Sequence, residues 1–249
     1  MSDRALGLLV TSAVVPHAPL THPDQRLAAT RLADYRAGLE SWTFFERVGP
    51  IVVCDGSNFP EAEFRAAVTP PDGREGSFEY LAYPTTGDAL QGKGRAEIEL
   101  MARALDDSQS FVGVDRFLKV TGRYVIRNAE ALVRRILAQP ALPDVQVNLH
   151  NRLTLADSRV FLFSRDFFSR RVYPHRGEIS DAEGTWMEHV LARATLAHVA
   201  DGGDWDLLPL PLRARGIAGT TGTPHPETSL QYAQARARHW IKSRALGKR

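Results

Sequence analysis

Short apolar runs rich in β-branched residues alternate along this chain with longer stretches of helical periodicity. That alternation limits the fold more than any other feature. "LGLLVTSAVVP", "IVVCDGSN", "FEYLAYP" and "RFLKVTGRYVI" are strand-length runs, each leading into turn-forming residues. "DVQVNLH" and "RVFLFSRDFF" add two more strands. Between the first two, Leu27, Leu32, Tyr35, Leu39 and Trp42 recur at three- to five-residue steps, predicting a helix from Asp24 to Glu46. "GKGRAEIELMARALDDS", "AEALVRRILAQ", "GTWMEHVLARATLAHVA" and "ARARHWIKSRALGKR" also read as helices. Strands alternating with helices predict an α/β fold: a Rossmann-like, mixed but mostly parallel sheet with helices on both faces.

With 249 residues, 43% of them hydrophobic and 24% charged, the chain is long enough to bury a core without disulfides. One domain is expected over 1–230, with a basic C-terminal helix or tail over 231–249. The stretch "TPPDGREGS" (69–77) reads as a surface connection. A net charge of +2 gives no reason to expect nucleic acid as a partner. The single cysteine, Cys54, lies inside an apolar run and reads as a buried, inert thiol. No apolar run approaches the ~20 residues of a membrane-spanning helix, and the N-terminal run reads as a strand, so a cytoplasmic protein is expected.

In open α/β sheets, ligands bind beyond the carboxyl ends of the strands. The first two strands end in small polar residues, Thr11, Ser12 and Asp55, which suit a ribose or a base; ordinary turn chemistry explains them as well. "GDALQGKG" (87–94) spells a P-loop with one change. Gly94 stands where Ser or Thr would hold magnesium, and two strands precede it, so an NTPase is disfavoured. What remains is Lys93 between Gly92 and Gly94 at a helix start, a setting that suits an anion and lets backbone approach it closely. Glu97 then reads as a partner for the first-turn amides. In "FLKVTGRYVIRN", Lys119 and Arg123 flank a Thr-Gly turn. A strand running into that turn is expected to display both cations at its end, where they neutralise a diphosphate; a surface strand with two salt bridges is the plainer alternative.

The order of "LLVTSAVVP", "IVVCDGSN", "GKGRAE" and "FLKVTGRY" resembles GT-A-type, sugar-nucleotide-dependent glycosyltransferases, and more narrowly bacterial enzymes that build surface polysaccharides such as lipopolysaccharide. The resemblance covers roughly residues 6–225. It implies a GT-A-like fold, a nucleotide-sugar donor and a saccharide or lipid-linked acceptor. Such enzymes commonly carry an Asp-x-Asp that binds a divalent metal, and this chain has none. No metal and no other cofactor is therefore expected, with Lys119 and Arg123 in the metal's electrostatic role. Thr121 and Gly122 between them belong to the same donor site, with Thr11, Ser12 and Asp55 around the nucleoside and Gly92, Lys93 and Gly94 near the phosphates.

The resemblance also bears on three downstream stretches. Asp157 and Arg159 lie two apart beside an apolar strand, where they share a face and point into one cleft; a surface ion pair is the competing explanation. Glu188 opens a late helix, where the resemblance implies a general base facing the acceptor hydroxyl, with Trp186 stacked on an acceptor sugar. A helix-dipole charge and a core tryptophan are the plainer alternatives. His225, in "GTTGTPHP", is placed by the resemblance near phosphate. His17, His22, His150 and His175 show no metal-ligand spacing. The basic C-terminus, with Trp240, Ile241 and Leu246, suits peripheral contact with the inner membrane, and a solvated terminal helix is the plainer explanation. A nucleotidyltransferase on a similar sheet and a noncatalytic saccharide- or nucleotide-binding protein are the other functions considered.

Overall fold

In the computed structural model, which describes residues 6–15, 27–42, 49–68, 78–84, 92–216 and 229–245, the β-branched runs form the middle of a seven-stranded sheet. Its strands are β1 (Leu6–Ser12), β2 (Ile51–Asp55), β3 (Phe78–Ala82), β4 (Arg116–Thr121), β6 (Val145–Gln146), β9 (Val160–Ser164) and β10 (Trp205–Asp206). Two small antiparallel pairs flank it: β5 (Val125–Ile126) with β11 (Ala214–Arg215), and β7 (Leu149–His150) with β8 (Leu155–Ala156). The sheet order is β10-β6-β9-β4-β1-β2-β3. β1 pairs in parallel with both β2 and β4, and β9 runs antiparallel between β4 and β6. The sheet is mixed and mostly parallel.

Helices cover both faces. On one side, α1 (Ala28–Glu40), α2 (Glu61–Ala67) and α4 (Ala129–Leu137) pack on Leu8, Val10, Val53, Leu118 and Val120. On the other, α3 (Lys93–Asp107) and α5 (Met187–Ala200) pack on Leu9, Val52, Cys54, Phe117, Phe161 and Phe163. The alternation of strand side chains therefore divides the core into two layers. Cys54 is fully buried and unpaired, and burial pushes its thiol well above its ordinary value, as befits an inert group. A basic helix, α6 (Ser229–Ala245), ends the described chain.

Local structure differs from the sequence expectations in several places, among them "DVQVNLH", which is split between β6 and β7 in separate sheets, and the short strands β8, β10 and β11, which were not predicted. α2 was not predicted, because seven residues around Phe64 are too few to establish a period. The run "RVFLFSRDFF" is strand only to Ser164, whose hydroxyl accepts from the Phe167 amide and turns the chain into a helix. That helical passage continues through a π turn (Phe168–Val172) and a 3-10 turn (Tyr173–Glu178). Within the described residues 27–42, α1 spans Ala28–Glu40; the rest of the expected helix, 24–26 and 43–46, and the stretch 69–77 lie outside the described residues.

Candidate active site

The carboxyl ends of β1 and β4 meet the first turns of α3 and α5 and the entry to β9. Lys119 lies at the centre. β4 is an inner strand, with Leu9 of β1 on one side of Lys119 and Phe161 of β9 on the other. Alternation turns the Lys119 side chain toward α3 and α5, where it is fully buried. The expected display of Lys119 at the strand end is thus corrected: its position inside a covered sheet puts the ammonium in the core. Its three N–H donors are all used. They meet the Glu97 carboxylate at 2.7 Å, the Thr121 hydroxyl at 2.8 Å and the Ser158 carbonyl at 2.7 Å.

Glu97, one turn into α3, joins the two cationic motifs. Its carboxylate also accepts the Thr11 hydroxyl at 2.6 Å. It does not serve the first-turn amides; the Asp181 carboxylate takes that place, accepting the Lys93 amide at 3.1 Å. Burial pushes the Glu97 carboxyl up, but the charge and hydrogen bond of Lys119, the Thr11 hydroxyl and the Arg123 charge outweigh it. Together they hold the group below its ordinary value. From Lys119 the network continues through Ser158, whose hydroxyl donates to Glu188 at 2.7 Å. Thr11, Lys119, Thr121 and Glu188 are therefore in one connected set.

Lys93 opens α3, the helix that carries Glu97, and Arg123 lies in the turn after β4, the strand that carries Lys119. Burial lowers the Lys93 ammonium below its ordinary value; Asp181 opposes the shift, while the charges of Arg123 and Arg31 add to it. Arg31 was passed over in the sequence, where it was one of two arginines on α1. Its Nε donates to the Ala13 carbonyl at 2.6 Å and its Nη2 to the Tyr35 hydroxyl at 3.0 Å. The hydroxyl of Tyr35 in turn accepts the Ala13 amide at 2.8 Å. The i, i+4 spacing of Arg31 and Tyr35 was the available signal, and nothing in the sequence tied it to the end of β1.

The glycines serve packing. A Cβ on Gly92 would lie 3.0 Å from the Asp181 carboxylate, and one on Gly94 would lie 2.7 Å from the Met187 Cβ. On Gly122 it would meet Val10 at 2.7 Å, the Tyr35 ring at 3.0 Å and the Thr11 carbonyl at 3.1 Å. The close approach expected for a ligand at Gly92 and Gly94 is taken up by the loop before α5 and by α5 itself.

Asp157 and Arg159 do pair, in the turn leading into β9 and not along a strand. Arg159 grips Asp157 with two hydrogen bonds, at 2.8 and 2.7 Å. Burial pushes the Asp157 carboxyl up, and that grip more than reverses it, leaving the group below its ordinary value. Asp55 is buried and faces inward. It accepts from the Ser12 hydroxyl, the Val14 amide, both donors of Ser57 and the Phe59 amide, at 2.6–3.2 Å. It clasps the turns after β1 and β2, and Ser12 is part of that clasp. Trp186 caps α5 with 41% of its surface exposed; its amide donates to His189 Nδ1, and the two rings lie 5.3 Å apart. His225 lies outside the described residues.

No family model matches the chain, and no curated protein matches it in sequence. Solved structures match it by shape. The galactosyltransferase LgtC, in complex with donor and acceptor sugar analogs, matches with a TM-score of 0.51 at 9% identity, over 81% of this chain and 73% of its own. The fold is GT-A-like. A 4-diphosphocytidyl-2C-methyl-D-erythritol synthase from Anaerococcus prevotii matches over 96% of this chain and 97% of its own, at a TM-score of 0.49 and 10% identity. At such identities the likeness is one of fold. Within the GT-A-like sheet, the network around Lys119 occupies the carboxyl end of the central parallel strands.

Proposed function

We propose that this chain is a metal-independent glycosyltransferase, moving a sugar from a nucleotide-sugar donor to a saccharide or lipid-linked saccharide acceptor. One observation carries the proposal. The donor-side motifs and the acceptor-side carboxylate, far apart in sequence, converge on one hydrogen-bonded network, Thr11–Glu97–Lys119–Ser158–Glu188. Lys93 opens α3 and Arg123 lies in the turn after β4, at the strand ends where a GT-A-like sheet takes its ligand.

In this mechanism Lys93 and Arg123 bind the donor diphosphate. The acceptor oxygen attacks the anomeric carbon and its proton passes to Glu188. The bond from that carbon to the donor phosphate oxygen breaks, and its electron pair leaves with the nucleoside diphosphate. Lys93 and Arg123 neutralise the charge that develops there. The Ser158 hydroxyl holds one Glu188 oxygen and aims the other at the acceptor. Lys119 and Glu97 are positioning residues, fixing Thr11 and Ser158. Asp55 and Ser12 shape the turn beside the nucleoside, Asp157 and Arg159 border the acceptor side, and Trp186 offers its exposed ring to the acceptor sugar. Helix α6, with Arg236, Arg238, Lys242 and Arg244 and no acidic residue, brings the enzyme to an anionic membrane surface that carries a lipid-linked acceptor.

Nucleotidyl transfer asks for carboxylates on magnesium at the phosphates. Here Glu97 and Asp157 are already engaged by Lys119 and Arg159, so that reading would fall to Glu188 and Asp181 as magnesium ligands. Thermal-shift titration with UDP, GDP, CMP and dTDP, with and without EDTA, tests the proposal. One nucleotide should raise the melting temperature equally in both conditions, and no shift with any of them overturns the reading. Glu188→Gln should keep that shift and abolish sugar transfer. Full transfer by this variant removes Glu188 as the base.

A further inference from the structure

Arg31 is 6% exposed, and two of its three guanidinium nitrogens are held by the Ala13 carbonyl and the Tyr35 hydroxyl. The third, Nη1, is buried with no hydrogen-bond partner among the described residues. A buried cationic donor left unpaired is costly, and folded proteins rarely tolerate one without a ligand or water to complete it. The guanidinium is also fixed in place. Ala13 directly follows β1, and the Tyr35 ring packs where a Gly122 side chain would stand, one residue before Arg123. Arg31 is therefore tied to the ends of both β1 and β4. Its charge is felt at Lys93, as is that of Arg123.

Three cations thus crowd one end of the sheet. Glu97 is bound to Lys119, and Asp181, which accepts the Lys93 amide, offsets part of the Lys93 charge, so the unpaired donor among the three is Arg31 Nη1. We infer that Arg31 is a third phosphate-binding cation of this site, whose unpaired Nη1 completes its hydrogen bonding on a diphosphate held jointly with Lys93 and Arg123. The inference rests on the nucleotide-sugar reading and adds to it: the diphosphate is recognised by side-chain charge from α1 as well as from α3 and the turn after β4. A planar fork held at two nitrogens presents the remaining one in a set direction, which lysine cannot copy.

The test compares Arg31→Gln with the unaltered chain, using the nucleoside diphosphate that the thermal-shift panel selects, its parent nucleoside, and inorganic pyrophosphate. Calorimetric affinity for the diphosphate should fall roughly 10- to 100-fold, the size of one charge-assisted hydrogen bond. Affinity for the nucleoside should stay unchanged, and the stabilisation by pyrophosphate seen in the unaltered chain should be lost. Equal diphosphate affinity in the two proteins overturns the inference and leaves the functional reading standing; Nη1 is then completed by water. A parallel loss for nucleoside and diphosphate also overturns it, since that assigns Arg31 to the fold alone. Absence of nucleotide binding by the unaltered chain removes the functional reading itself. Should Arg31→Gln not fold, Arg31→Lys, which keeps the charge and loses the fork, decides by the same comparison.

Discussion

Lys119 and Glu97 depend on each other. Removing the lysine leaves a carboxylate with only 23% of its side-chain surface exposed and no cation in contact. Lys119→Met should therefore cost about 3 kcal/mol in urea unfolding, the lower end for a broken buried pair because Glu97 keeps some water. The double variant Lys119→Met, Glu97→Gln should regain much of that loss, since neither charge then remains. An additive double variant would show that the pair is not coupled. The pair also predicts a pH dependence. Glu97 sits below its ordinary value of 4.5 in the folded chain, so the unfolded chain takes up its proton first as pH falls. Its contribution is fully present above that value and is lost as pH drops through the lower folded value. The stability gap between the unaltered chain and Glu97→Gln should be constant from neutral pH to about 5 and close below about 4.5. A gap that widens on acidification would reverse the sign of this argument.

At the scale of elements, the first turns of α3 and α5 are pressed together at Gly94 and Met187, and the turn after β4 is pressed onto β1 and α1 at Gly122. Either glycine replaced by alanine forces backbone apart beside the site. Gly94→Ala and Gly122→Ala should each destabilise by roughly 1–3 kcal/mol, as overpacking does. Gly177→Ala, where a Cβ meets nothing within 4 Å, should be close to neutral. Equal stability of all three in thermal melts would remove close packing as the reason for the glycines. The letters around Lys93 and Lys119 were legible as a pair. Their purpose was not, because a glycine that admits a ligand and a glycine that admits a neighbouring helix look alike in a sequence. Glu97 was legible only as a helix-start carboxylate, for its partners Lys119 and Thr11 come from strands 22 residues after and 86 before it. Ser158, which joins Lys119 to Glu188, carried no signal beyond lying between Asp157 and Arg159.

For the whole molecule, charge is most one-sided on α6, which carries Arg236, Arg238, Lys242 and Arg244 and no acidic residue, with Trp240 and Ile241 at 57% and 59% exposure. No helix among the described residues is long and apolar enough to cross a membrane. Surface association through α6 is instead expected, and it should be salt-sensitive. The protein should co-sediment with vesicles containing phosphatidylglycerol and not with pure phosphatidylcholine vesicles, and Trp240→Ala with Ile241→Ala should weaken that binding. Co-sedimentation with both lipids alike would remove charge as the cause.

The class of fold was determined by the sequence alone, because period-two and period-3.6 burial leave their mark in consecutive residues. Alternating runs such as "IVVCD" and "IELMARAL" require a sheet covered by helices wherever their neighbours lie. The tertiary structure decided which charged groups are paired with one another inside the core. Strand order placed Lys119 on an inner strand and turned it into a buried partner of Glu97, and the packing of α1 on the end of β1 bound Arg31 to Ala13 with one nitrogen unpaired. Those outcomes depend on contacts between residues distant in the chain, and a side chain's charge is spent or available only once such contacts are made.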